Sequence, residues 1–189
     1  MLAVTGCTTG PEVSATSQAP HFGAQIAQAI EQASAQGVSQ AQLDALKLAR
    51  QQGEVTFEQT KVAAQLAVEC MTAGGVEASY IEVTIRGVTL PQFSVQPDPN
   101  SADESRVADE CETNEFDFIS MMYQTQPSVA ALRSAFDEEQ AAQLVACLEA
   151  AGVAVEPDAN WESATDAAGS AAADGNEAAS ECLGAALAP

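Results

Sequence analysis

The chain has 189 residues, of which 47% are apolar but only 5% aromatic, and its 27 acidic residues against 6 basic ones leave a formal net charge of −21. That balance excludes nucleic acid as a partner, because phosphate binding needs clustered Lys and Arg, whereas Lys47, Arg50, Lys61, Arg86, Arg106 and Arg133 are scattered. No apolar run approaches the roughly 18 residues of a membrane span, and a core rich in alanine buries little area per residue, which gives covalent cross-links more weight.

Residues 1–20 carry an address and not a fold. Val4-Thr5-Gly6-Cys7 resembles the lipobox of bacterial lipoproteins, in which an aliphatic residue, a small residue and Gly or Ala precede a cysteine that is lipidated before cleavage. The resemblance implies that Cys7 is acylated and that the membrane is a partner through this anchor. Two acyl chains suffice for stable anchoring where one is marginal. The residues ahead of Cys7 are too few for a basic n-region and the about 7–15 apolar residues of a signal peptide, so a misplaced start or a trimmed signal is expected. Thr8 to Pro20 is rich in Ser, Thr, Pro and Gly and lacks hydrophobic periodicity, the composition of a flexible tether.

From His21 the pattern turns helical, with Phe22, Ile26 and Ile30 on one face and Gly37 as the stop. Ser39-Gln40-Ala41-Gln42 is a capping-box signal, followed by Leu43, Leu46 and Ala49 at helical spacing and by Gly53, so residues 21–53 are expected as a helical hairpin. The segment from Gly53 to Gln59 has the outline of half a calcium-binding loop. Its ligand positions would be Leu48, Arg50, Gln52 and Gln59, none a carboxylate, which excludes calcium. Thr56 instead reads as the N-cap of a third helix from Phe57 to about Ala73.

An internal repeat organises the rest. Cys70-Met71-Thr72-Ala73-Gly74-Gly75-Val76 matches Cys147-Leu148-Glu149-Ala150-Ala151-Gly152-Val153, and each is followed at a similar separation by a second cysteine, in Ala108-Asp109-Glu110-Cys111 and in Ala179-Ser180-Glu181-Cys182. A helix ends one turn after its cysteine at a glycine suited to left-handed backbone, and a valine begins an extended run. In the first unit, residues 54–126, Ile81, Val83 and Ile85 alternate with polar residues, and Gly87 turns the chain toward a second extended run at Phe93 to Val95. The following stripe of Phe116, Ile119 and Tyr123 reads as core. In the second unit, residues 127–189, a short helix runs through Phe136 and Asp137-Glu138-Glu139 marks the start of the helix bearing Cys147. Val153-Ala154-Val155 is its expected strand, and the stretch from Trp161 to Gly175 is low in complexity.

The repeat pairs Cys70 with Cys111 and Cys147 with Cys182, one of three connectivities open to four cysteines. Such bridges persist in an oxidising compartment. A fifth cysteine is then left over, and lipidation of Cys7 accounts for it. Zinc is disfavoured, since no pair has short Cys-x-x-Cys spacing and His21 is the sole histidine. The whole pattern looks like that of uncharacterised actinobacterial cell-envelope lipoproteins, for which no activity is implied.

No catalytic signature is present: there is no G-x-S-x-G, P-loop or G-x-G-x-x-G, and His21 sits at the edge of the tether. The expectation is therefore a mostly helical α+β protein, a helical hairpin followed by two disulfide-closed helix–strand–helix units with a small sheet, residues 21–189 forming one domain. It is expected to be a binding or structural module, not an enzyme, without cofactor or metal, on the outer face of the cytoplasmic membrane, with a protein or cell-wall partner. The alternative is a secreted carboxylate-dependent hydrolase of wall polymers, for which two acids about 5–9.5 Å apart beside an aromatic such as Trp161 or Tyr80 would be required.

Overall fold

The computed structural model describes residues 19–96 and 101–186; the lipobox with Cys7 lies outside them. Helices α1 (Ala19–Gln36), α2 (Gln40–Gln52) and α3 (Phe57–Ala73) lead into strands β1 (Ala78–Ile85) and β2 (Val88–Val95). Helices α4 (Ala102–Glu115), α5 (Asp117–Thr125), α6 (Pro127–Ala150), α7 (Trp161–Ala173) and α8 (Glu177–Ala186) follow. The class is α+β and mostly helical, as composition and periodicity suggest.

The two halves of the repeat end their helices identically. After α3, Gly75 adopts φ +87°, and the Val76 amide bonds back to the Met71 carbonyl at 2.9 Å; after α6, Gly152 adopts φ +74°, and Val153 bonds to Leu148 at 2.9 Å. This is the Schellman arrangement, in which a left-handed residue turns the chain so that the next amide satisfies an orphan carbonyl. Each cysteine one turn earlier faces its partner helix. Cys70 bonds to Cys111 with Cα atoms 5.6 Å apart, and Cys147 bonds to Cys182 at 5.8 Å.

β1 and β2 form a two-stranded antiparallel sheet with Ile85 opposite Val88 and Ala78 opposite Val95. The turn holds Arg86 at φ +49° and Gly87 at φ +72°, the two positive values that a two-residue type I′ hairpin requires. One sheet face packs on α3, and on that face Phe93 meets Phe116 of the α4–α5 junction edge-on at 5.2 Å. On the other face Val88 and Leu90 are buried against Val129 of α6 and Tyr123 of α5.

Three expectations are corrected. First, α6 is one continuous helix of 24 residues, so Asp137, Glu138 and Glu139 lie in its middle and not at a helix start. Pro127 at the first turn begins it, which suits a residue without an N–H. No Gly or Pro near Phe136 interrupts the ladder, and the Phe136 ring lies against Gly87 at the hairpin tip. Second, residues 153–155 are not a strand. A strand needs a partner, and Glu156-Pro157-Asp158-Ala159-Asn160 offers no second extended run, so Val153 and Val155 pack instead into the C-terminal core. Third, the low-complexity stretch is the helix α7, capped by Asn160, whose side chain accepts from the Ser163 amide at 2.9 Å. The second unit is therefore three helices, and its likeness to the first is confined to the helix end and the bridge.

The apolar interior is also divided. A larger core gathers Ile26, Leu46, Met71 and Ile119, all fully buried, and extends from α1 to α5. A smaller one joins Leu144, Leu148, Ala164, Ala168, Ala179 and Cys182 across α6, α7 and α8. Helix α6 joins the smaller core to a third cluster: its first half covers Val88 and Leu90 of β2 through Val129, and its second half carries the alanine-rich core.

Candidate functional site

The hairpin tip, the middle of α6 and the loop entering α7 enclose a cleft of about 560 Å³. Arg86 reaches it because the type I′ turn presents that side chain beside α6. Its Nε donates to Oδ1 of Asp137 at 2.8 Å while a second guanidinium nitrogen meets the other carboxylate oxygen. A bidentate pair of this kind fixes geometry as well as charge. Asp137 is only 21% exposed and Arg86 51%. Glu138, one residue on, accepts from the Ser134 hydroxyl. Across the cleft stand Asp158 and Glu162 with the half-buried Trp161, whose indole also packs on the C-terminal core.

This cleft brings together Trp161 and four carboxylates, one of them paired with Arg86, and it leaves out Tyr80. That ring lies beneath the Lys61 ammonium, 5.7 Å from the ring centre, and its hydroxyl donates to Glu82. Nor does His21 line the cleft; it is exposed on α1. A carboxyl raised above its ordinary range by burial, and further by the nearby Asp117 and Asp109, is Glu112. Glu112 faces a different concavity, among Gln92, Phe116 and Ser120. A general acid needs such a shift at the reacting bond, and here the shift and the aromatic wall are in separate places. Among the described residues no group of three or more His, Cys, Asp or Glu side chains is placed to hold a metal ion.

Of the residues singled out from sequence, the four bridging cysteines are brought together in the expected pairs, and Cys7 lies outside the described residues. The cleft residues Arg86, Ser134 and Asn160 carried no sequence signal beyond the turn that places Arg86. Two buried glutamines were likewise missed. Gln42 Nε2 donates to the carbonyls of Thr113 (2.9 Å) and Asn114 (2.7 Å), and its Oε1 accepts from the amides of Phe118 (2.9 Å) and Ile119 (3.3 Å). One side chain thus satisfies the last carbonyls of α4 and the first amides of α5, groups that helix ends leave without partners. Gln126 likewise satisfies both backbone groups of one residue, accepting from the Val55 amide and donating to its carbonyl. Ser39 fulfils half of its capping box by accepting from the Gln42 amide and gives its own hydroxyl to Glu115 at 2.6 Å.

No helix of the described residues is long and apolar enough to cross a membrane. No protein-family model matches the chain, and no curated protein and no solved structure shows a significant match to it.

Proposed function

We propose that the chain is an exported envelope lipoprotein, acylated at Cys7 and displayed on the outer face of the cytoplasmic membrane, where it serves as a binding or structural module. The observation that carries the reading is the closure of both disulfides, Cys70 to Cys111 and Cys147 to Cys182. Bridges of this kind endure where the surroundings are oxidising. They account for four of five cysteines, and the remaining one sits in Val4-Thr5-Gly6-Cys7. An odd cysteine in an exported chain calls for a partner or a modification, and thioether linkage to a diacylglyceryl group provides one. The strongly acidic charge would suit a cation-rich wall.

Intact mass of the protein made in its own host tests this directly. Reduction is expected to add four hydrogens, and the N-terminal fragment is expected to carry the diacylglyceryl mass. Alkylation of all five cysteines without reductant would overturn both claims.

The Trp161 cleft favours a second reading, a carboxylate-dependent hydrolase of wall polymers, because it sets an aromatic wall against Glu138, Asp158 and Glu162. Release of soluble fragments from purified wall, lost in Glu138→Gln or Asp158→Asn, would support it. No release by the folded, disulfide-closed protein would dismiss it.

A further inference from the structure

We propose that the protein pairs with a second copy of itself through the free edge of β1, with the two-fold axis passing at Val83. This inference is independent of the lipoprotein reading.

The sheet has only two strands, and they differ in how they are protected. β2 is buried or half-buried along its length and carries Pro91; β1 is largely exposed, with Ile81 at 37% and Ile85 at 49%. Edge strands are ordinarily blunted by Lys, Pro or a bulge, since an open row of amides and carbonyls is a template for another strand. Between Ala78 and Ile85 β1 has no Lys, Pro or bulge, its one charged residue is Glu82, and its register with β2 is unbroken.

Which backbone groups are open follows from the turn. In a two-residue hairpin the flanking residues, here Ile85 and Val88, exchange both hydrogen bonds, and bonded and non-bonded pairs then alternate. Residues 83, 81 and 79 therefore bond to β2, while Thr84, Glu82, Tyr80 and Ala78 direct their amides and carbonyls outward. Pro91, which has no N–H to give, stands opposite Glu82 in a non-bonded pair, as this parity demands. Among the described residues no backbone group outside the sheet bonds to those four positions.

The side chains define the occupant. Ile81, Val83 and Ile85 share a face with Leu90 and Val88; α5 and α6 cover the β2 half of that face and leave the β1 half open. These three apolar residues are symmetric about Val83. An antiparallel copy centred there sets Val83 against itself and Ile81 against Ile85 of the second copy, twice, while Glu82 and Thr84 exchange backbone bonds across the join. A register centred on Glu82 would oppose two like charges, which is unfavourable. With Val83 on the axis, Glu82 instead faces Thr84 of the second copy, and the two Glu82 side chains move from directly opposite to the more distant diagonal positions. The hairpin as a whole is also low in charge. Between Ala78 and Val95 the chain has one acid, Glu82, and one base, Arg86, so this stretch is neutral within a molecule of net charge −21. Two copies that repel one another elsewhere can meet here.

The join is small, at the low end of specific interfaces, so a weak and concentration-dependent dimer is expected, with dissociation in the micromolar range or above, about 1 μM or weaker. The test uses the full chain bearing Cys7→Ser, secreted so that both bridges form. Sedimentation equilibrium should show reversible dimerisation, weakened about tenfold or more by Ile81→Lys or Ile85→Lys. Both side chains are exposed, so an unchanged circular dichroism spectrum is expected to show that these variants fold. Under mild oxidation Val83→Cys should yield a disulfide-linked dimer, and Ile81→Cys should cross-link to Ile85→Cys when mixed but not to itself. A monomer up to submillimolar concentration, or a dimer indifferent to the lysine variants, would overturn the proposal. Self-cross-linking of Ile81→Cys would overturn the register.

Discussion

Gln42 shows how much one buried side chain decides. It is 1% exposed and makes four hydrogen bonds to main chain at the break between α4 and α5, where Phe116 leaves helical backbone at φ −130°. Without the amide, the Thr113 carbonyl and the buried N–H groups of Phe118 and Ile119 would lose this partner, while the Asn114 carbonyl would keep the Ser39 amide. A hydrogen bond has a modest net worth, but stranding a buried donor or acceptor costs its full desolvation. Gln42→Leu is therefore expected to destabilise the fold by about 2–4 kcal/mol, most of it from the stranded groups and little from packing. Equilibrium urea denaturation checks this, and a loss within experimental error would show that α4 and α5 find other partners. The sequence presented Gln42 as the fourth residue of a capping box, and Ser39 does accept from its amide. Its side-chain role depends on residues more than seventy positions away, which no local pattern encodes.

At the level of elements, what could be read in advance was whatever local backbone chemistry determines. Gly37, Gly53, Gly75 and Gly152 stop helices because each is left-handed, Thr56 caps α3 with Gln59 in reciprocal bonds, and the alternation from Tyr80 to Ile85 is a strand. What failed was set by distant partners. The acids at 137–139 looked like a helix start, but one of them is held by Arg86 from the hairpin; Val153 to Val155 looked like a strand but had nothing to pair with. Of the cleft, Trp161 alone was legible. The two bridges also differ in what they support. Cys70–Cys111 joins helices of the larger core, whereas Cys147–Cys182 secures α8 to α6 beside α7 through a core in which alanine dominates. Small side chains contribute little burial, at roughly 25 cal/mol per Å² of apolar area. Removing Cys147 and Cys182 as a pair of alanines is expected to cost about 2–4 kcal/mol and to fall on α7 and α8 first. Hydrogen exchange should then show amides in 161–186 losing protection while those of α3 keep theirs. Uniform loss across the chain would mean that the two cores unfold together.

The charge of the whole molecule governs how these parts respond to solution conditions. With 27 acids and 6 bases, the compact state concentrates negative charge, and self-repulsion of this kind opposes folding. Ion pairs among the described residues, which include Lys47 with Asp44, Arg106 with Asp103 and Glu110, and the better shielded Arg86 with Asp137, are mostly exposed. Exposed pairs contribute little. Salt at about 0.15 M shortens the Debye length to about 8 Å and screens distant charges more than close pairs, so added sodium chloride should stabilise the protein. Glu112 acts in the same sense through protons. Burial, followed by Asp117 and Asp109, raises its folded pKa above the ordinary glutamate value. The folded state thus binds the proton more tightly than the unfolded one, and stability falls as pH rises from the ordinary glutamate value through the raised one. The group is partly solvated, so the effect is small in proportion. Thermal melts at low salt should accordingly show the melting temperature rising when pH is lowered from 7 to about 5, and Glu112→Gln should reduce that rise and lift the value at pH 7. A melting temperature that falls on this mild acidification, or with added salt, would mean that close ion pairs outweigh the repulsion.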